Sequence, residues 1–116
     1  MGESFVVAKG LDNCVSIYPK AEWERFLELL MTIPPSQRRP LQRFFGSGSE
    51  ECTVDSQGRV VIPPKIREHA GLQKEIVVVG DTEKVEVWNR QAWTEYIGSP
   101  EFETENVAKI MEELGM

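Results

Sequence analysis

The sequence has few of the features that mark membrane, secreted or metal-binding proteins. Its 116 residues include one histidine and only two cysteines, Cys14 and Cys52, which form no CxxC pair. No apolar run approaches the roughly 18 residues that a membrane span needs, and no basic segment followed by an apolar core opens the chain. The composition predicts one small cytoplasmic domain with a modest core, without membrane contact, disulfide or bound metal.

Residue sets that carry out catalysis are also missing. There is no Ser/His/Asp set and no pair of carboxylates at a strand end, and the stretch Gly46-Ser47-Gly48 lacks the lysine that follows the glycines of a P-loop. His69 has no cysteine or carboxylate at ligand spacing, so we interpret it as a surface residue at a helix end. We therefore expect no enzyme, no cofactor and no small-molecule substrate.

Charge is unevenly distributed along the chain. The net charge of −6 argues against a general nucleic-acid binder, but residues 36–74 carry +3 and the remainder carries −9. This distribution is typical of a localised anion-binding face. The alternative is a mixed, solvated surface, because exposed arginine and lysine need no special reason. The basic residues of the region are Arg38, Arg39, Arg43, Arg59, Lys65, Arg67 and Lys74.

The most informative stretch is 51–72, which predicts a β-hairpin followed by a short helix. Apolar residues recur at every second position, at Cys52 and Val54 and again at Val60 and Ile62, on either side of Asp55-Ser56-Gln57-Gly58. Aspartate can accept hydrogen bonds from its own backbone, and glycine accepts a positive φ. The turn would present Gln57 and Arg59 at its tip. After two prolines, a helix is predicted over 65–70, ended by Gly71.

Periodicity assigns the rest of the chain to an α+β fold. Strands are predicted over 5–8 and 14–18, with Val15 and Ile17 on one face of the second. An amphipathic helix runs from Pro19 to Ile33, and Ser36 caps another that reaches Phe45. The segment 46–49 is interpreted as a flexible joint. A final helix has apolar residues at i, i+3, i+4 and i+7, which predicts one buried stripe, on its own domain or a neighbour: Val107, Ile110, Met111 and Leu114.

The chain also repeats itself at an offset of seventy positions. Gly10, Val15, Ile17 and Trp23 match Gly80, Val85, Val87 and Trp93. Both copies are predicted to be strand, glycine turn, strand and helix, with tryptophans in the core, which indicates an internal duplication. The hairpin at 51–62 precedes the second copy, while its counterpart for the first would lie upstream of Met1. We expect the chain to begin in the middle of a repeat.

Four motifs follow one another over residues 5–93: Y-P-x-x-E-W, D-x-x-G-R followed by V-V-I-P, G-L-x-K-E-x-V-V-V-G, and E-V-W-N-x-x-x-W. Together they resemble the MraZ family of bacterial transcriptional regulators. The resemblance implies an AbrB-like swapped-hairpin barrel with a two-helix connector. Complete members carry two hairpin motifs, and only the one at 55–59 is present. The predicted division is 1–33 for the rest of the first repeat, 34–50 for the connector, 51–98 for the second repeat and 99–116 for the terminal helix.

The resemblance also implies a function and a set of residues for it. Family members bind G-rich direct repeats of double-stranded DNA in the promoter of a division and cell-wall gene cluster, as ring-like homo-oligomers in the nucleoid. Arg59 would contact guanine, while Asp55 orders the loop. The remaining DNA-binding residues would be Ser56, Gln57, Gly58, Lys65 and Arg67, and the oligomer contacts Arg38, Arg39 and Arg43.

Two alternatives stay open at this point. Arg59 and Asp55 could instead form an exposed ion pair that only stabilises the turn, by about 0–1 kcal/mol. The chain as a whole could instead be a protein-interaction module, such as an antitoxin-like AbrB domain. If the strands of 51–62 lack their internal partner, their free edges would invite pairing with a second subunit.

Overall fold

The computed structural model describes residues 4–81 and 83–116, and its fold confirms the predicted α+β class. The strands are β1 (Ser4–Lys9), β2 (Val15–Pro19), β3 (Ser49–Thr53), β4 (Ile76–Gly80) and β5 (Val85–Asn89). The helices are α1 (Lys20–Leu30), α2 (Pro35–Ser47), α3 (Pro64–His69), α4 (Arg90–Ile97) and α5 (Thr104–Glu113), with a 3-10 helix at Pro100–Phe102 before the last of them.

The five strands form one antiparallel sheet in the order β3-β1-β2-β5-β4. The strand that precedes the second copy therefore pairs with the first copy, where Phe5 lies opposite Cys52 and Ala8 opposite Ser49. We expected the strands of 51–62 to lack a pairing partner within the chain. That expectation is wrong for β3, because β3 pairs with β1 of the same chain. β3 and β4 are left as the outer strands of the sheet.

The second strand of the predicted hairpin is absent from the described part of the chain. Residues 60–62 join no ladder. The alternation is nevertheless real, since Val60 and Ile62 are half-buried against the core while Val61 is exposed. Two prolines follow at once and have no N–H to donate, so packing against the core rather than pairing with β3 fixes this segment.

Alternation along β1 divides the core between the two faces of the sheet. Val6 and Ala8 point to the face that α1 and α2 cover, where they meet Tyr18, Trp23 and Phe45. The opposite face is covered by α3, and its core consists of Val7, Val15, Ile66, Ala70 and Val87, with Ile17, Cys52, Val60, Ile62 and Leu72 packed against it. Val15 and Ile17 thus share a face as predicted.

The connector differs from its prediction at both ends. α2 begins at Pro35 with Pro34 as its N-cap, so Ser36 lies inside the helix and caps nothing. The segment 46–49 is not a free joint, because α2 continues to Ser47 and the Gly48 carbonyl accepts a hydrogen bond from Lys9 N at 2.7 Å. A Cβ at Gly48 would lie 2.6 Å from Lys9 Cδ of β1 and 2.8 Å from the Phe44 carbonyl oxygen of α2, so a side chain there would collide with both elements.

The ladder between β2 and β5 is symmetric at the offset of seventy. Ser16 lies opposite Glu86, its own counterpart, and Val15 and Ile17 lie opposite Val87 and Val85.

The predicted match of Gly10 with Gly80 is wrong in its register. Gly80 is the last residue of β4 and pairs with Val85, while the residue that pairs with Val15 is Lys9. Gly10 instead lies in the longer turn after β1, packed against Cys14. Common descent of the copies stays a prediction.

The terminal helix forms as predicted, but its apolar stripe is not buried within the chain. Every residue from 101 to 116 is exposed, and Leu114 retains 69% of its accessible surface. α5 makes its main contact with the adjoining 3-10 helix. Among the described residues, no helix is both long and apolar enough to span a bilayer.

Candidate nucleic-acid interface

The loop between β3 and α3 is built around the side chain of Asp55. Its Oδ1 accepts hydrogen bonds from Gln57 N and Arg59 N, both at 2.8 Å. Two backbone bonds close the turn, from Asp55 N to the Arg59 carbonyl at 2.9 Å and from Gly58 N to the Asp55 carbonyl at 3.0 Å. Gly58 has a φ of +76°, which a side chain would resist. Four hydrogen bonds and one glycine therefore order five exposed residues.

Arg59 projects from this loop into solvent. Its side chain is 70% exposed, and Nε donates to Asp55 Oδ2 at 3.3 Å. Within the residues that the structure describes, this is its only side-chain hydrogen bond, so the two terminal nitrogens keep their donors free. Hydrogen bonds from the Arg59 backbone, then from the Gln57 backbone and the Arg59 side chain, lower the pKa of Asp55. The aspartate is thus ionised at neutral pH, and it fixes one side of the guanidinium.

Helix α3 follows the loop after Pro63 and presents two cations. Lys65 and Arg67 are exposed, while Ile66 between them is buried and anchors the helix to the sheet. The helix ends at Gly71, whose φ is +60°, and Leu72 N donates to the Arg67 carbonyl at 3.1 Å. The predicted helix and its stop are confirmed. Ser56 and Gln57 are exposed at the loop tip, so all the predicted DNA-binding residues are exposed.

The interpretation of His69 as a plain surface residue is wrong. His69 is half-buried, and its Nε2 donates to the Gly10 carbonyl at 2.8 Å, across 59 positions of sequence. Its ring also lies 6.1 Å from that of Phe44, and Lys9 Nζ lies 5.5 Å from the Phe44 centroid. His69 therefore ties α3, and the loop before it, to the turn after β1 and to α2. No spacing in the sequence signals a contact of this range.

The three arginines predicted as oligomer contacts lie on α2, away from the loop in sequence. Arg39 and Arg43 are exposed, and Arg38 is half-buried because its Nη1 donates to the Met31 carbonyl at 3.2 Å. Arg38 thus helps to fix the junction of α1 and α2. Their role between subunits stays a prediction. In the described residues no cluster of histidine, cysteine and carboxylates could hold a metal ion, and both cysteines are free thiols.

Comparisons with known proteins agree on one family. A family model described as "MraZ protein, putative antitoxin-like" matches residues 45–113. The transcriptional regulator MraZ of Heliobacterium modesticaldum is 48% identical over 98 residues, which are 83% of this chain and 68% of the relative. The transcriptional regulators MraZ of Halothermothrix orenii and of a Thermoanaerobacter species are 41% and 37% identical over 118 residues, covering 100% of this chain and 82% of each relative.

Proposed function

The chain belongs to the MraZ family, and on that premise we propose that it is a DNA-binding transcriptional regulator that reads its operator with the loop at residues 55–59. Curated members of the family are named transcriptional regulators, so the family is one of regulators and not of enzymes. The expectation from the sequence that the chain is no enzyme is thereby confirmed.

The observation that carries the proposal is the state of Arg59. A guanidinium with free terminal nitrogens can donate two parallel hydrogen bonds to O6 and N7 of guanine in the major groove. Asp55 supports this role because it accepts a hydrogen bond from Arg59 Nε only and leaves the terminal nitrogens free. It also orders the loop by accepting from the backbone N–H groups of Gln57 and Arg59. Preordering lowers the entropy lost on binding, so a rigid tip suits base recognition better than a mobile one.

The neighbouring cations fit the accompanying backbone contacts. Lys65 and Arg67 lie on the helix that continues the loop, where they would bind phosphates and set the register without reading bases. Gln57 and Ser56 offer further donors at the tip. The chain's overall negative charge disfavours binding elsewhere on the surface, so DNA would approach through this local basic segment.

We further infer the finer features that the family resemblance implies. The DNA would be G-rich direct repeats in the promoter of a division and cell-wall cluster, bound in the cytoplasm at the nucleoid. One loop per subunit reads few bases, so a ring-like homo-oligomer that sets several loops against successive repeats would supply the affinity.

The decisive experiment compares two arginines with matched surroundings. The side chains of Arg59 and Arg25 are 70% and 69% exposed. Arg59 Nε lies 3.3 Å from Asp55 Oδ2, and Arg25 Nη1 lies 3.3 Å from both carboxylate oxygens of Glu22. Fluorescence anisotropy would follow binding to a duplex with G-rich direct repeats and to a scrambled duplex of equal composition. Arg59→Ala should abolish the preference for the repeats, about 1–3 kcal/mol per contacted base pair, while Arg25→Ala should preserve it.

Salt gives an independent readout. Affinity for either duplex should fall as salt rises, and Lys65→Ala should flatten the slope without changing the preference. If Arg59→Ala binds the repeats like the wild type, the loop does not read DNA. A protein-interaction module, the rival function, would show that result, since it has no need of the free guanidinium.

A further inference from the structure

Residues 55–72, which contain the candidate reading loop and α3, are ordered largely by contacts within the segment itself. Four hydrogen bonds around Asp55 close the loop, and the buried side chains of Ile66 and Ala70 hold α3 to the sheet. Hydrophobic burial is non-directional, whereas a hydrogen bond needs its donor and acceptor at a set distance and angle. Hydrogen bonds to the rest of the chain are therefore best suited to orient the loop.

Within the described part of the chain, only two hydrogen bonds join residues 55–72 to the rest, and each goes to a different copy of the repeat. His69 Nε2 donates to the Gly10 carbonyl of the first copy at 2.8 Å. Asn89 of the second copy donates from Nδ2 to the Gly71 carbonyl at 2.9 Å. Both bonds lie at the C-terminal end of α3, so this helix connects two fixed points to the loop.

The bond from His69 reaches a carbonyl that is itself well fixed. His69 is half-buried and Gly10 is buried, so a lost donor would leave the carbonyl unpaired away from water. The turn that carries Gly10 is held on both sides, because Gly10 N donates to the Cys14 carbonyl and Lys9 N donates to the Gly48 carbonyl, both at 2.7 Å. His69 therefore ties α3 to a rigid part of the first copy.

Asn89 makes its bond to α3 while it caps α4. Its Oδ1 accepts from Ala92 N at 3.0 Å, and its Nδ2 is left to donate to Gly71. The counterpart of Asn89 in the first copy, seventy positions earlier, is Pro19, whose side chain has no polar atom. The link to α3 is therefore specific to the second copy.

We propose that His69 and Asn89 are positioning residues for DNA recognition, which orient the loop at 55–59 without touching DNA themselves. A segment that is fixed before binding loses less entropy when it binds. Contacts with base edges require a set geometry, whereas attraction to phosphate charge requires much less. Loss of either link should therefore weaken the preference for particular bases and leave the charge-driven affinity unchanged. This inference rests on the proposed function.

Glutamine and asparagine at position 69 give a matched pair of variants. The amide nitrogen of glutamine can take the place of histidine Nε2, whereas asparagine is one carbon shorter and cannot reach the Gly10 carbonyl. Fluorescence anisotropy would compare the G-rich and scrambled duplexes well below the unfolding midpoint of each variant. His69→Asn should lower the ratio of the two affinities about two- to tenfold, the range expected of one hydrogen bond. His69→Gln should restore the ratio, and both should keep the wild-type salt slope because the cations are unchanged.

Hydrogen exchange tests both links without DNA. Asn89→Ser keeps a good helix N-cap but is too short to reach Gly71. His69→Asn and Asn89→Ser should each speed exchange of the Ala70 and Leu72 amides at the end of α3, about two- to tenfold, and His69→Gln should not. Asn89→Ser should also lower the ratio of affinities, by less than His69→Asn, because its hydrogen bond is exposed to water.

Three results would overturn the proposal. An unchanged ratio in His69→Asn or in Asn89→Ser would remove that residue from DNA recognition, and unchanged exchange would show that its bond does not hold α3. A His69→Gln variant that behaves like His69→Asn would assign the effect to ring packing on Phe44. If Arg59→Ala abolishes the preference while His69→Asn leaves it intact, only this inference fails; if Arg59→Ala leaves it intact, the proposed function fails as well.

Discussion

Each copy of the repeat contains three aromatic residues in the same arrangement, but the two sets, here called trios, differ in how deeply they are buried. In the first, Tyr18 lies 5.1 Å from Trp23 and stacks on Phe26 at 6.1 Å. In the second, their counterparts at the offset of seventy repeat the arrangement, since Trp88 lies 5.3 Å from Trp93 and stacks on Tyr96 at 5.0 Å. The edge-on and stacked geometries are shared, so strand and helix spacing alone suffices to reproduce them.

What differs is the residue that closes each trio. Phe45 of α2 lies over the first, 5.0 Å from Phe26, and is buried. Phe102 of the 3-10 helix takes that place in the second, 4.7 Å from Tyr96, yet remains exposed. Beside the long helix α2, Tyr18 and Trp23 are both buried. Beside the short 3-10 helix, Trp93 and Tyr96 stay half-buried, although Trp88 is buried. Local pattern sets the contacts, and the following segment sets the burial.

Truncating the tryptophan of each copy should show the largest difference. Trp23 is buried and Trp93 is half-buried. We expect Trp23→Ala to lower the free energy of unfolding by about 3–5 kcal/mol and Trp93→Ala by about half of that, because solvent already reaches the second ring. Urea denaturation followed by circular dichroism measures both. Equal losses would mean that the terminal segment shields the second trio as well as α2 shields the first.

Truncating Phe45 and Phe102, which pack on the first and the second trio, also tests the difference in burial. Phe45→Ala removes a buried ring and should cost about 3 kcal/mol. Phe102→Ala removes an exposed ring from a similar aromatic contact and should cost about 1 kcal/mol or less. The denaturant midpoints of the two variants give the comparison. A larger loss at Phe102 would refute the view that burial, and not ring geometry, separates the copies.

A glycine pair tests how α2 is held over the first trio. Alanine at Gly48 would meet Lys9 and the Phe44 carbonyl, while alanine at Gly46 meets nothing within 4 Å. Gly48→Ala should destabilise by about 1–3 kcal/mol through overpacking. Gly46→Ala should stabilise by about 0.5–1 kcal/mol, because glycine inside a helix costs entropy. Thermal unfolding midpoints that move in the same direction for both would contradict a tight contact between β1 and α2.

Alkaline pH should weaken the first copy through Cys14, whose counterpart in the second is Lys84. Burial, followed by the charge of Glu86, raises the pKa of the Cys14 thiol from 9.0 to about 11. A folded-state pKa above the unfolded value favours the protonated native state, so stability is full below pH 9 and declines as pH rises toward 11. Unfolding midpoints of the wild type should fall across this range, and Cys14→Ala should reduce the fall. Identical profiles would exclude the thiol as the cause.

Much of the candidate interface follows from local sequence. Asp55 and Gly58 define the turn because one accepts backbone donors and the other tolerates a positive φ, and both features are visible in the letters D-S-Q-G-R. The contacts of His69 are different. Its bond to Gly10 and its ring contact with Phe44 join residues far apart in the chain, so only the folded arrangement of α2, α3 and the first turn creates them.

Local sequence is enough to predict most of the helices and strands, the shared face of Val60 and Ile62, and the aromatic spacing of both copies, because each depends on neighbours within a few residues. Contacts between distant segments instead fix the pairing of β3 with β1, leave residues 60–62 outside the ladder, and pack α2 against the sheet while α5 stays exposed. Those outcomes depend on which distant surface each segment meets, and an apolar stripe has the same spacing whether its own chain covers it or water does.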